Sequence, residues 1–391
     1  MIINSIGFKN FKIKENLASV KKEFNLLISD YYKNKKNILN TLSKNYKYSA
    51  NIKIVKKLKK KSFFRIIGMG GSILGSEAIY SFLKKKIKKN FLFISNLQND
   101  LNLKKDKRTQ VNIIISKSGN TLETICNSNT FLRNNQKNLI ISELRDNYLN
   151  KLAADLKSDV IEHKNYVGGR YSVLSEAGMI PAELMGLSAI KFKQFNYLIK
   201  NKIFVNELLN NVQEIFLNFK KGKFLSVILN YDPLSESLFR WYQQLVAESL
   251  GKKSKGILPI ISTMPCDNHS VLQLYLDGPK NNFFTFFSTK EKFSSKINFK
   301  RIPDEIKFLK KKNLNDVLSS QIFATQKVFE KKKLPFRSFM IKKRSEEALG
   351  ELFTFFIIET ILVARALNIN PFNQPAVELI KKETKNILIR S

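Results

Sequence analysis

A short apolar run that ends in glycines constrains this chain more than any other feature. Residues 63–67, Phe-Phe-Arg-Ile-Ile, lead straight into Gly68-Met69-Gly70-Gly71-Ser72-Ile73-Leu74-Gly75. A run of this length reads as a buried strand, and the glycines after it as the turn into a helix. Residues 91–95, 111–116 and 138–142 repeat the apolar run, with helical stretches between. Strands alternating with helices predict a parallel sheet covered by helices on both faces. The pattern restarts after a Lys/Asn-rich helical stretch near 190–222. Strands are expected there at 224–230, 256–262, 283–288 and 336–341, and helices at 233–250, 314–329 and 346–367. The fold class is therefore α/β, with two parallel-sheet units in succession, a pattern that suggests duplication without a literal repeat. The expected division is a helical N-terminal segment at 1–50, a first unit at 51–190, a second at 191–369 and a helical tail at 370–391. A chain of 391 residues is long enough for two such units.

Composition narrows the chemistry. Two histidines, His163 and His269, exclude a multi-histidine metal site, and two cysteines, Cys126 and Cys266, exclude a disulfide framework or a cysteine metal site. Lys and Arg number 68 against 32 acids, a formal charge of +36. Clustered cations bind nucleic-acid phosphates, but here the lysines are scattered in short runs without a zinc-finger or RNA-binding motif. Lys, Asn, Ile and Phe are abundant together and share codons rich in A and T, so genome bias accounts for the charge. No specific nucleic-acid partner is expected. Residues 352–369 form the most apolar window, which Glu359 and Arg365 interrupt, so it reads as a buried helix rather than a membrane span. Met1 to Ser5 shows no basic segment leading into an apolar stretch, and a cytoplasmic protein is expected.

Two loops carry the first functional signal. Glycines at 68–75 let backbone amides approach an anion at a helix start. The dinucleotide fingerprint needs a third glycine where Ile73 stands, and no Walker A run is present. Alone, the loop serves equally well as a strand-to-helix join. The second loop is Ser116-Lys117-Ser118-Gly119-Asn120-Thr121-Leu122-Glu123-Thr124. Several hydroxyls and one ammonium suit a phosphate monoester. The alternative is a helix cap, with Asn120 and Glu123 at capping-box spacing. Both loops fall at the carboxyl ends of expected strands, where open α/β sheets bind ligands.

These two segments resemble the phosphate site of the glucose-6-phosphate isomerase family, enzymes built from two SIS (sugar isomerase) domains of flavodoxin-like type. Four further segments resemble the family in the same order: Gly168-Gly169-Arg170-Tyr171-Ser172-Val173-Leu174-Ser175, the 244–252 run Gln-Leu-Val-Ala-Glu-Ser-Leu-Gly-Lys, His269-Ser270-Val271-Leu272-Gln273, and the 370–381 run Asn-Pro-Phe-Asn-Gln-Pro-Ala-Val-Glu-Leu-Ile-Lys. The resemblance spans roughly residues 50–391. Asn373 stands where the family typically has Asp, and Ala376 where it typically has Gly.

The resemblance implies an aldose–ketose isomerase acting on a sugar phosphate, without metal or organic cofactor. Glu248 is implied as the base that moves a proton between C2 and C1, with Gln244 one helical turn before it. Without the resemblance, Glu248 reads as an exposed helix glutamate. Arg170 is implied to face the charge that develops on the enediol oxygens. His269 and Lys381 are implied as the ring-opening pair, and Gln374 as a partner of sugar hydroxyls. Gly71, Ser72, Ser116, Lys117, Ser118 and Thr121 are implied to hold the phosphate. The resemblance further implies a homodimer in which His269 reaches the neighbouring subunit's site. A dual glucose/mannose phosphate isomerase and a sugar-phosphate sensor are the competing readings, and the sensor lacks the DNA-reading helix it would need.

Overall fold

The computed structural model describes residues 5–11, 17–49, 52–97, 108–133, 136–291, 294–298, 300 and 302–390. Its strands, in chain order, are β1 (Ile6–Lys9), β2 (Phe63–Gly68), β3 (Asn90–Ile94), β4 (Val111–Ile115), β5 (Lys137–Ser142), β6 (Asp159–Glu162), β7 (Leu225–Asn230), β8 (Leu258–Thr263), β9 (Asn282–Thr289) and β10 (Phe336–Ile341). One sheet has the order β3-β2-β4-β5-β6 and is parallel throughout. The other has the order β1-β10-β9-β7-β8, parallel except for β1. Helices cover both faces, so a central strand such as β4, Val-Asn-Ile-Ile-Ile, is buried along its whole length and shows no alternation.

The duplication suggested by the alternation is present in the topology. Numbered within each half, both sheets follow the order 2-1-3-4, as β3-β2-β4-β5 and as β8-β7-β9-β10. The expected strands all appear, with ends shifted by at most two residues. Two elements had not been expected. The first fifty residues, read as outer helices, include the helix Ala18–Lys33 but also β1, which pairs antiparallel with β10. Ile6 is buried and the Phe8 ring lies 4.7 Å from Phe339 and 5.6 Å from Phe355. A four-residue strand is too short to register as a periodicity, and its partner lies over 300 residues along the chain. It covers a sheet edge that would otherwise be open. β6 escaped notice because acids flank its two apolar residues.

The helix Glu346–Ala366 is buried over almost its full length, packed against the helices Glu236–Leu250, Lys202–Lys220 and Ala18–Lys33. Its Glu359 accepts from Arg337 at 2.6 Å and from Asn211 at 3.1 Å, so a buried charge is both paired and hydrogen-bonded. Arg365, near its end, pairs with Asp30 at 3.0 Å. Among the described residues no helix is long and apolar enough to cross a membrane. The helix Glu236–Leu250 packs on β8 of its own half and on the helix Leu74–Phe82 of the other, and so forms the seam between them.

Glu351 gives this core a pH signature. It is buried, its Oε2 has no hydrogen-bond partner among the described residues, and burial, then the neighbouring Glu347, push its pKa up to about 8. The native state therefore keeps a proton that the unfolded chain releases above the ordinary carboxylate range, and stability falls as pH rises from there towards 8. Urea unfolding of Glu351→Gln between pH 5 and 8.5 should show a stability gain over the parent that grows with pH. A difference independent of pH across that window would exclude the buried acid.

Candidate active site

The strand order places a crevice at the carboxyl ends of β2 and β4, because the connections from these two neighbours run to opposite sides. The glycine loop leaves β2 there and the serine loop leaves β4. In the serine loop, the Ser116 hydroxyl lies 2.8 Å from the Thr121 hydroxyl and accepts from the Gly119 amide at 3.2 Å. Gly119 has φ of +69°, and a Cβ there would lie 2.1 Å from Asn147 Oδ1, so only glycine closes this loop. Thr121 occupies the N-cap of the helix Leu122–Phe131 without a side-chain cap bond. Asn120, the expected capping residue, instead accepts from the Tyr148 amide at 2.8 Å. The capping-box alternative is therefore not realised, and the Thr121 hydroxyl remains at the positive end of the helix.

Lys117 sits differently from its neighbours. Its ammonium donates to the Asn165 carbonyl at 2.7 Å and lies 3.7 Å from Glu143. Burial, opposed by Glu143, draws its pKa below the usual lysine range. Ser118 accepts from the Asn120 amide at 3.2 Å. Ser72 is buried in the short turn Gly70–Ser72, beside Gly71. Behind that turn lies the segment Gly169–Leu174, in which the Ser172 hydroxyl donates to the carbonyls of Gly71 and Gly169 at 3.1 and 2.8 Å.

Arg170, from that segment, is 4% exposed and uses all three guanidinium nitrogens. Nη1 donates to Glu248 Oε2 at 2.9 Å and to Gln374 Oε1 at 2.7 Å. Nη2 donates to the carbonyls of Pro371 and Asn373 at 2.7 and 3.2 Å, and Nε to the Ser249 hydroxyl at 3.0 Å. Glu248 and Gln244 lie on one face of the seam helix, and Gln244 Nε2 donates to Glu248 Oε1 at 2.9 Å. Phe239, Tyr242 and Val246 are buried on the opposite face. The Gln244 side chain also abuts the glycine loop: a Cβ on Gly70 would lie 2.8 Å from Nε2. Glu248 and Gln374 line a cavity of about 910 Å³. The carboxylate, held at each oxygen by one donor, keeps further lone pairs for a substrate.

His269 and Lys381 are not brought to this cluster within one chain. His269 is exposed at the end of the turn Cys266–His269, and its imidazole has no hydrogen-bond partner among the described residues. Lys381 is exposed on the helix Val377–Arg390 and pairs with Glu378 at 2.7 Å. His163 is buried, and burial lowers its pKa to about 4. Sequence reasoning missed the roles of Ser249, Tyr171 and the Pro371 carbonyl. The Tyr171 hydroxyl lies 2.8 Å from that of Ser249 and donates to the Pro371 carbonyl at 3.0 Å. Ser249 and Tyr171 stand inside the quoted motifs, but nothing marks a backbone carbonyl in a sequence.

Residues 53–258, more than half of the chain, match the phosphoglucose isomerase family. The chain belongs to this family. It is 33% identical over 350 residues to a glucose-6-phosphate isomerase of Methanocaldococcus jannaschii, covering 86% of each chain. A glucose-6-phosphate isomerase of Mycoplasmopsis synoviae is 32% identical over 346 residues, with 81% of this chain and 80% of the relative covered. The crystal structure of a glucose-6-phosphate isomerase from Chlamydia trachomatis superposes with a TM-score of 0.77 at 16% identity, over 99% of this chain and 89% of that one. A hypothetical protein of Thermus thermophilus, TT0462, gives a TM-score of 0.82 at 20% identity, over 95% and 94%.

This phosphoglucose isomerase fold leaves no room at Gly71. A Cβ there would lie 2.1 Å from the Gly169 carbonyl carbon and 2.5 Å from the Arg170 amide nitrogen, both backbone atoms. Gly71→Ala should therefore cost about 2 kcal/mol or more of unfolding free energy. Gly70→Ala meets mainly the movable end of Gln244, though at a φ of +53°, and should cost less. Equal losses in urea unfolding would contradict this packing.

Proposed function

We propose that this chain is an enzyme, an intramolecular isomerase that interconverts D-glucose 6-phosphate and D-fructose 6-phosphate in glycolysis and gluconeogenesis. The carrying observation is the Gln244–Glu248–Arg170 cluster at the seam, beside a hydroxyl-rich loop at a helix N-terminus. Ser116, Ser118, Thr121, Ser72 and the amide of Gly71 bind the phosphate, and Lys117 adds its charge when the ammonium turns from Asn165. The Glu248 carboxylate takes the proton from C2 of the open-chain aldose, the electron pair becomes the C1–C2 double bond, and the aldehyde oxygen gains a proton. The resulting cis-enediol is converted to ketose when Glu248 returns its proton to C1 and the C2 hydroxyl proton leaves. C1 and C2 are adjacent, so one carboxylate braced at both oxygens reaches both. The fixed positive charge of Arg170 stabilises the oxygen on which negative charge develops. Gln374 binds sugar hydroxyls.

Ring opening belongs to His269 and Lys381, and in our reading the histidine comes from a second copy of the chain. Its exposure supports this, as does the helix Val377–Arg390, which buries no residue and leaves Leu379, Ile380, Leu388 and Ile389 uncovered. A two-fold dimer would cover such a face and form two shared sites. Cytoplasmic residence is part of the same proposal, and the free, exposed Cys126 and Cys266 suit a reducing compartment.

Incubation with fructose 6-phosphate, followed by NMR, should yield glucose 6-phosphate, and Glu248→Gln should lose about 100-fold or more in rate. Its affinity for a sugar-phosphate inhibitor should hardly change, since the serine loop supplies that binding. Near-normal turnover would remove Glu248 from the mechanism. For the shared site, Glu248→Gln and His269→Ala chains are unfolded and refolded together. Random pairing should restore about a quarter of parental activity, because half the dimers carry one intact site. Mixed dimers that stay inactive would place the histidine in its own subunit's site.

A further inference from the structure

The turn that follows the Glu248 helix grips the segment on which the site is built. Lys252 and Lys255 exchange backbone hydrogen bonds of 3.0 Å in each direction. Between them Lys253 and Ser254 have φ of 54° and 56°, the conformation of a two-residue type I′ turn. Side chains rarely adopt that conformation unless contacts hold it. Here the contacts come from the two lysines at its base. The Lys252 ammonium donates to the Asn370 carbonyl at 2.6 Å and to the Ser249 carbonyl at 3.1 Å. The Lys255 ammonium donates to the Leu367 carbonyl at 3.0 Å. They hold the two ends of the short link 367–370, within which Asn368 also has a positive φ of 56°. Directly beyond Asn370 come the Pro371 and Asn373 carbonyls and the Gln374 amide that Arg170 engages.

We propose that Lys252, seconded by Lys255, is a positioning residue for the isomerisation. It clasps the 367–370 link to the end of the Glu248 helix and so keeps Gln374 in register with Arg170 and Glu248. The inference rests on the function proposed above. Lys252 lines the same cavity as Glu248 and Gln374. Burial and the Arg170 guanidinium lower its pKa to about 8, opposed by Glu248. An ammonium held there against repulsion is doing so through its two carbonyl contacts. A site atom displaced by about 1 Å can cost up to about 100-fold in rate, so a strut of this kind acts on turnover.

The test replaces the ammonium but keeps the apolar stem, as Lys252→Met. On fructose 6-phosphate, kcat should fall about 10- to 100-fold with KM little changed, and Lys252→Arg should recover most of it. Hydrogen exchange should speed up in residues 367–376 and stay unchanged in the helix Glu346–Ala366. Because the clasp acts through Gln374, the double variant Lys252→Met/Gln374→Ala should be no slower than the slower single variant. A raised KM with intact kcat would make Lys252 a substrate contact and overturn the proposal. Losses that multiply in the double variant, or unchanged exchange at 367–376, would overturn it too. If Lys252→Met fails to fold, Lys255→Met removes the outer grip alone and is read in the same way. A parental chain without isomerase activity would sink the function, while the exchange measurement would still decide on the clasp.

Discussion

The buried guanidinium of Arg170 is the contact on which the site depends. It joins three stretches of chain that are remote in sequence: its own glycine-flanked turn, the seam helix and the segment after the long buried helix. A planar group with five N–H donors in a fixed fork can satisfy a carboxylate, an amide oxygen, two carbonyls and a hydroxyl together, which an ammonium cannot. Burying such a charge is costly unless it is paired and hydrogen-bonded. Glu248 provides the opposite charge, so the residue proposed as base also compensates the cation proposed to stabilise the intermediate.

Duplication of the fold did not produce two equivalent crevices. At the carboxyl ends of β2 and β4 the hydroxyls of Ser116 and Thr121 bond to each other and one accepts from a backbone amide, which leaves one hydroxyl proton for an anion. At the corresponding place in the second half, beyond β7 and β9, stands the buried carboxylate of Asp232. It accepts from the hydroxyls of Ser235 and Thr289 and from the guanidinium of Arg344. Those are the groups a phosphate would need, and a fixed negative charge already occupies them. The second half contributes the seam helix instead, with Gln244 and Glu248 on it.

Much of this could be read from the residues because it rests on local physics. Apolar runs of five or six residues between glycine and polar turns can only be buried strands when helices alternate with them, and the strands fall there. The glycine and serine loops were recognisable because strand-to-helix turns restrict the residues they accept: Gly71 faces backbone and Gly119 faces Asn147, with no space for a side chain. What escaped was nonlocal. β1 carries two inward residues, too few for a pattern, and acquires its meaning only from pairing with β10. Lys117 reads as a phosphate ligand, yet Asn165 and Glu143, on loops after other strands, draw its ammonium to themselves.

The sequence by itself determined the two-unit α/β architecture, the positions of both anion-type loops and the identity of the acidic and basic groups. These depend on side-chain period, glycine conformation and charge, which are properties of short segments. Only the tertiary structure decided that Glu248 is braced by Arg170 and Gln244, that one crevice is open and the other filled by Asp232, and that His269 and Lys381 lie outside the cluster of their own chain. Most of these rest on residues far apart in the chain, 78 positions for Arg170 and Glu248 and 204 for Arg170 and Gln374, brought together by how two sheets pack across one shared helix. Local preference carries no information about such distances, because they arise only when the whole core closes.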